Sequence, residues 1–357
     1  MTIDKTAGAL PVPERAHDTI RGGAAARPPG PVLLIALAAL VAVPFVLDQA
    51  FSYHLAIFIC INAIIVVSLS LLARAGQISL CHGALVGVGA YVSVACVKGL
   101  GLPFLAGAAA AMLAAGAVAF LLGMIVLRLQ GVYFVLITFA FSELVRLVLL
   151  EWVGVTGGAN GITDIPVAAI AGYAFSAKPA FYALALVMTA AVIAFFWFFY
   201  ASPAGEAVDA VGQNPALAES SGIGVRRTQL FAFTVASAFA GLGGSLLAHY
   251  LGYISPESFN MHYSVALIVM MVVGGRTFLL GGLIGALVMT PLPELFRGAV
   301  QTQDIFYGVA LILMLRFMPN GLASVGARMR ARVQARASAR DAANAPAGAS
   351  EPNRRPT

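Results

Sequence analysis

Between Pro31 and Pro319 the sequence keeps returning to apolar runs close to the length a helix needs to cross a bilayer, roughly 20 residues. That repetition leaves few folds open. In hydrocarbon every backbone N–H and C=O must be satisfied within the chain, so such a run is stable as a helix or as part of a closed barrel. Barrel strands alternate apolar and polar side chains, and no alternation is visible. Of the 357 residues, 60% are hydrophobic and 10% charged, a balance that excludes a soluble domain of this length. The expectation is an all-α, polytopic membrane bundle.

Membrane spans are expected at about 31–47, 54–73, 78–97, 103–127, 132–150, 180–200, 229–251, 263–280, 282–297 and 304–318. Ten is the working count. Eight is the fallback, because the third, ninth and tenth runs are short or broken by glycine, which leaves room for a re-entrant or broken helix. An N-terminus inside the cell puts Arg74, Arg128, Arg226, Arg227, Arg276 and the tail arginines on the cytoplasmic side, and leaves mainly Lys98, Lys178 and Arg297 opposite. Residues 1–30 read as a flexible cytoplasmic arm held in by Arg15, Arg21 and Arg27, not as a cleaved signal. Residues 31–320 form the membrane domain, with one polar loop outside at 151–179 and one inside at 201–228. Residues 321–357 read as a basic, largely disordered cytoplasmic tail, a solvated anchor in preference to a segment whose arginines touch anionic headgroups. The formal charge of +6 follows from this topology, and no nucleic-acid partner is expected.

Several chemistries are set aside by absent patterns. Cys60, Cys81 and Cys96 lie in or beside apolar runs without CxxC spacing or clustered histidines, so neither a disulfide framework nor a metal site is expected. No GxxxxGK[ST] stretch occurs, so the chain has no nucleotide site of that type. No nucleophile, base and orienting group stand at recognisable spacing, and the expectation is no catalytic residue and no cofactor bound by this chain.

Glu143 and Arg146 are the sharpest local feature, an acid and a base three residues apart in an apolar stretch, where they share a helix face. Charge at bilayer depth costs on the order of 3 kcal/mol, so the pair must face protein or water. Two readings stand, an ion pair that locks helices together and a pair beside a solute path. Polar residues within spans, Asn62, Ser79, His82, Tyr91, Thr138, His249 and Tyr250, are candidates to line such a path. Gly83 with Gly87, Gly281 with Gly285, and Ala240, Gly244 and Ala248 have the spacing of close helix packing, or of a hinge. The stretches "LARAGQISL" (72–80) and "VVGGRTFLL" (272–280) share a glycine followed by a leucine-bearing run and hint at internal duplication. In the inner loop, "SPAGEAVDAVGQNPALAESSGIGVRRTQL" (202–230), two short helices should join at Asn214 and Pro215 and lie along the membrane face, as a connector or as a docking site for a soluble protein.

Five stretches carry a resemblance: "GQISLCHGALVGVGAY" (76–91), "GVYFVLITFAFSELVRLVLLEWVGVTGGANGI" (131–162), "SPAGEAVDAVGQNPALAESSGIGV" (202–225), "AGLGGSLLAHYLGYISPESF" (240–259) and "VMMVVGGRTFLLGGLIGA" (269–286). In this order, over roughly 31–320, the chain resembles the permease subunits of branched-chain amino acid ABC importers, the LivM type more than the LivH type. It departs from that pattern at Cys81 and Gly83 and in a less charged inner loop. The resemblance implies a bacterial inner-membrane protein with both termini cytoplasmic. It also implies a LivH-type permease partner, two ATPase subunits that use ATP and Mg, and a periplasmic amino-acid-binding protein. Gly205, Asn214, Ala218, Glu219 and Gly222 would then belong to the ATPase-coupling loop. Thr156, Gly157, Gly158, Asn160, Ser255 and Pro256 would face the binding protein. Leucine, isoleucine and valine are the implied solutes, though relatives also carry urea, amides or aromatic acids. A stand-alone secondary carrier or channel is the rival, since discontinuous helices and intramembrane charge suit it too.

Overall fold

The computed structural model describes residues 49–292, apart from 130 and 277, together with 308 and 312. Its centre is α1 (Gln49–Arg74), a helix with no glycine or proline, in which Ser68 and Ser70 return their hydroxyls to the carbonyls of Ile65 and Val66 at 2.7 and 2.9 Å. Such a helix has no polar face to turn to solvent. Nearly all of it is buried, enclosed by the helices that follow.

After Gly76 the chain runs irregularly to Cys81 and enters α2 (His82–Val94), which continues as a π-helical turn over Ala95–Gly99. Pro103 precedes α3 (Phe104–Val126), whose inward stripe is Ala108, Ala111, Ala115 and Ala119. On α4 (Val132–Glu151) one narrow face is buried, Phe134, Thr138, Ser142 and Leu149, with Phe141 and Val145 half-buried beside it and most of the remainder exposed. A connecting region holds the single turn α5 (Val153–Thr156), a 3-10 turn at Gly158–Asn160 and a hairpin of β1 (Ala169–Ile170) with β2 (Tyr173–Ala174). Positive φ at both Ala171 and Gly172 gives the hairpin the backbone twist of its two-residue turn.

Then follow α6 (Lys178–Tyr200), α7 (Pro203–Gln213), α8 (Pro215–Ser220), α9 (Val225–Leu251), a 3-10 turn at Pro256–Phe259, α10 (Met261–Gly274) and α11 (Gly281–Met289). Helix α9 is the spine, packed on α1, α2 and α3. Its run "AGLGGS" permits this: a Cβ at Gly241 would stand 2.5 Å from the Ala111 carbonyl oxygen of α3, while Gly243 meets Ile65 of α1 and Gly244 meets the Val86 carbonyl of α2.

Among the described residues seven helical segments are long and apolar enough to cross a membrane, and the chain is a multi-pass membrane protein. They match seven of the ten expected spans. The expected spans at 31–47 and 304–318 lie outside the described residues, apart from 308 and 312. Of the span expected at 282–297, residues 293–297 also lie outside the described residues, and the described part includes the nine-residue α11. Its glycines hold it against α10 and α1, with Gly285 at the Met270 carbonyl and Gly282 at Val67. The span expected from 78 begins at His82, after a stretch in which side chains take up the Leu80 and Cys81 N–H groups.

Candidate functional site

At the Arg74 end of the bundle the loop after α6 folds as two capped helices. Ser202 Oγ accepts from the Gly205 N–H at 3.4 Å and Asn214 Oδ1 from the Leu217 N–H at 3.1 Å. A proline follows each cap at the first helical position, where its missing N–H removes no bond. Helix α8 stops because Gly222 takes φ 84°, so that its N–H reaches the Glu219 carbonyl at 2.9 Å and the Ile223 N–H the Ala218 carbonyl at 3.0 Å. Val208, Val211 and Ala218 face the bundle. Leu217 is 63% exposed and Glu219 is exposed beside it, an outward surface with an apolar centre.

What fastens α7 is Arg74, at the end of α1. Its Nε donates to Asp209 Oδ1 at 2.7 Å and its Nη2 to Oδ2 at 2.5 Å. Its guanidinium carbon stands 3.8 Å from the centroid of the Tyr200 ring of α6. Its own carbonyl lies against Gly212, where any Cβ would collide with it. The neighbouring Ala75 carbonyl accepts from Gln229 Nε2 of α9 at 3.3 Å.

Two irregular stretches enter the bundle and meet. Residues 76–81 climb beside α1 and α4: the Leu80 N–H donates to Thr138 Oγ1 at 3.2 Å and the Cys81 N–H to Ser79 Oγ at 3.2 Å. From the opposite end, residues 252–260 bring Phe259 against Gly87 of α2. The Gly83 N–H then donates to Ser264 Oγ at 3.1 Å, joining the first turns of α2 and α10. Ser68 Oγ gives its proton to the Ile65 carbonyl, so it accepts from His82 Nε2 at 3.2 Å and leaves His82 Nδ1 as the bare acceptor. Along this seam His82 Nδ1, Tyr91 Oη, Ser142 Oγ and Tyr263 Oη are buried and lack a hydrogen-bond partner among the described residues. Buried polar atoms are seldom left unsatisfied.

Towards the far end, two loops join. Ile162 and Ile254 exchange backbone hydrogen bonds of 2.9 and 3.1 Å, and Gly161, at φ 70°, sits where a Cβ would strike the Ile254 carbonyl. The 156–161 turn is held by Thr156, whose Oγ1 reaches the Leu149 and Trp152 carbonyls at 2.5 and 2.9 Å and accepts from the Gly158 N–H at 3.2 Å. Gly157 and Asn160 lie in this turn, while Ser255 and Pro256 open the facing 3-10 turn. Glu143 and Arg146 pair at 2.8 Å, and Arg146 Nη1 also donates to Glu257 Oε1 at 2.7 Å. Glu257 is 60% exposed and the other two are partly exposed. The pair is therefore one side of a trio at the rim, where Arg146 ties the 256–259 turn to α4.

The remaining polar candidates lie elsewhere and are satisfied. Asn62 Nδ2 donates to Thr290 Oγ1 at 3.1 Å. His249 Nδ1 donates to the Pro166 carbonyl at 2.7 Å, and Ser93, itself bonded to Ser245, stands 3.1 Å from Nε2. Tyr250 Oη meets His54 Nδ1 at 2.6 Å, beside a cavity of about 330 Å³ also lined by Phe175, Lys178 and Phe181. Among the described residues no three His, Cys, Asp or Glu side chains stand close enough to hold a metal ion.

A family model described as "Branched-chain amino acid transport system / permease component" matches residues 52–318. The chain belongs to this family. Similar proteins include the high-affinity branched-chain amino acid transport system permease protein LivM of Escherichia coli, 31% identical over 270 residues, with 69% of this chain and 64% of the relative covered. The LivM protein of Salmonella typhimurium is 30% identical over 314 residues, with 81% and 74% covered. A probable branched-chain amino acid transport permease protein LivH of Methanocaldococcus jannaschii is 28% identical over 160 residues, with 42% and 50% covered. The chain thus spans a little under two thirds of the length of the E. coli relative. No solved structure matches. In this permease-family chain, reasoning from sequence missed Asp209, Gly212, Glu257, Ser68 and Ser264, and read Arg74 as a topology marker alone. Only Asp209 carried a signal, as an acid on the same short helix as the inward Val208 and Val211.

Proposed function

We propose that the chain is a transmembrane permease subunit of an ATP-driven importer that passes leucine, isoleucine and valine from a periplasmic binding protein into the cytoplasm. The observation that carries this reading is the family match across 52–318. In this reading the chain sits in the bacterial inner membrane with the Arg74 end and both termini cytoplasmic. A LivH-type permease completes the path, and two cytoplasmic ATPase subunits hold ATP and Mg. The chain binds no cofactor and makes or breaks no covalent bond.

The parts then take distinct roles. The α7–α8 loop, with Gly205, Asn214, Ala218, Glu219 and Gly222, docks on an ATPase subunit through the exposed Leu217 surface. The joined loops at 156–161 and 252–259 receive the binding protein, with Arg146 tying the second of them to α4. The seam between α2, α4 and α10 borders the path, because Ser79, His82, Tyr91 and Thr138 cluster with the unsatisfied atoms there, and two meeting helix starts present N–H dipoles suited to a carboxylate. ATP binding and hydrolysis shift the bundle between outward-open and inward-open arrangements.

The test is uptake of labelled leucine by cells lacking this chain, with and without restoring it, against unlabelled isoleucine, valine, phenylalanine and urea. Restored uptake suppressed by isoleucine and valine is the expected result. Suppression by phenylalanine or urea alone would move the solute class. Uptake that survives deletion of the ATPase subunits would replace the importer with a stand-alone carrier.

A further inference from the structure

We infer that Arg74 is the joint through which the α7–α8 loop moves the membrane helices, a positioning residue that carries motion from the loop into α1. The inference rests on the proposed docking of that loop on an ATPase subunit. Along the backbone the loop is joined to α6 through Ala201 and Ser202 and to α9 through residues 221–224, short connections that include Gly222 and Gly224. Its ion pair leads elsewhere, from Asp209 to Arg74 at the end of α1.

Four contacts converge on that end. Asp209 of α7 takes both Nε and Nη2 of Arg74, a planar fork that resists sliding and rotation together. Tyr200 of α6 lies under the guanidinium. Gly212 of α7 presses on the Arg74 carbonyl. Gln229 of α9 holds the next carbonyl along, that of Ala75. The Arg74 side chain is only 5% exposed, so its charge depends on Asp209 for compensation.

Helix α1 can spread such a displacement, since it touches α6, α9, α10 and α11. Ser68, six residues before Arg74, accepts from His82 at the start of α2. Movement of α7 thereby reaches the seam through one rigid helix and one hydrogen bond. Lysine would not replace Arg74, because a point charge neither forks onto a carboxylate nor stacks flat on a ring.

The test uses the full complex of this chain, its permease partner and two ATPase subunits in proteoliposomes with loaded binding protein. Solute moved per ATP hydrolysed and the amount of assembled complex are both measured, for wild type, Asp209→Asn, Arg74→Lys and the double variant. Expected are a reduced but measurable amount of assembled complex, a drop of roughly tenfold in solute per ATP for each single variant, and no further drop in the double. A merely structural contact would lower the amount assembled and leave the ratio unchanged. Assembled variants with the wild-type ratio overturn the joint. Should the single variants fail to assemble, Tyr200→Leu decides, since it removes the ring and leaves both charges paired: a lowered ratio supports the joint and a wild-type ratio overturns it. A wild-type complex without ATP-driven uptake would overturn the docking reading first, and the joint with it.

Discussion

Two glycines at one helix crossing give a sharp test of the packing argument. Gly241 of α9 and Gly116 of α3 both lie between these helices. At Gly241 a Cβ would stand 2.5 Å from the Ala111 carbonyl oxygen and 2.8 Å from the Ala115 Cβ. Ordinary contact begins near 3.4 Å, so the helices must part by about 0.9 Å, and both obstacles are backbone or Cβ atoms that cannot swing away. Overpacking of this kind costs about 1–3 kcal/mol. At Gly116 a Cβ would meet the Ala238 Cβ at 3.4 Å and the Thr234 carbonyl at 3.6 Å, and fits as it stands. Replacing a helical glycine there gains about 0.5–1 kcal/mol. The expected outcome for the detergent-solubilised chain is a lower melting temperature for Gly241→Ala and an equal or higher one for Gly116→Ala. Equal shifts of the same sign would refute the reasoning, because the two substitutions then would not sense the local space.

Three further expectations follow. Arg146→Ala leaves Glu143 and Glu257 facing each other, so it should destabilise by about 1–2 kcal/mol in denaturant titration, more than Glu143→Gln, with the magnitude held down by partial exposure; equal tolerance of both would show that neither carboxylate needs the guanidinium. Gly222→Pro imposes φ near −65° where the chain has 84° and removes the N–H bonded to Glu219; membrane insertion should persist while uptake and solute-stimulated ATP hydrolysis fall, and wild-type uptake would sink the loop's assignment. Cys96 is partly exposed whereas Cys60 and Cys81 are buried, so a membrane-permeant maleimide should label Cys96 in the folded protein and the other two only after denaturation, as read by mass spectrometry.

The sequence announced what depends on neighbours along the chain. Apolar runs located seven spans, Ser202 and Asn214 with their prolines marked the two short helices, and three-residue spacing paired Glu143 with Arg146. Contacts between distant residues were not legible. Asp209 lies 135 positions from Arg74, and Glu257 lies 111 from Arg146. A soluble helix advertises its inward face by periodic polarity, but in a membrane both faces are apolar, so nothing local says which helix meets which. The late start of α2 was hidden for a related reason: residues 78–81 read as helix until Thr138 and Ser79 are seen to take up the N–H groups of Leu80 and Cys81.

The enclosure of α1 bears on how the protein is made. Helix α9, which closes over it, begins at Val225, about 150 residues after α1 ends at Arg74. At a synthesis rate of roughly 5–20 residues per second, α1 spends about eight to thirty seconds in lipid before its principal neighbour exists. A sequence apolar on every side tolerates that interval, since hydrocarbon and the interior of the bundle solvate it almost equally well. Arg74 differs, because the carboxylate that pairs with it, Asp209, follows only 135 residues later.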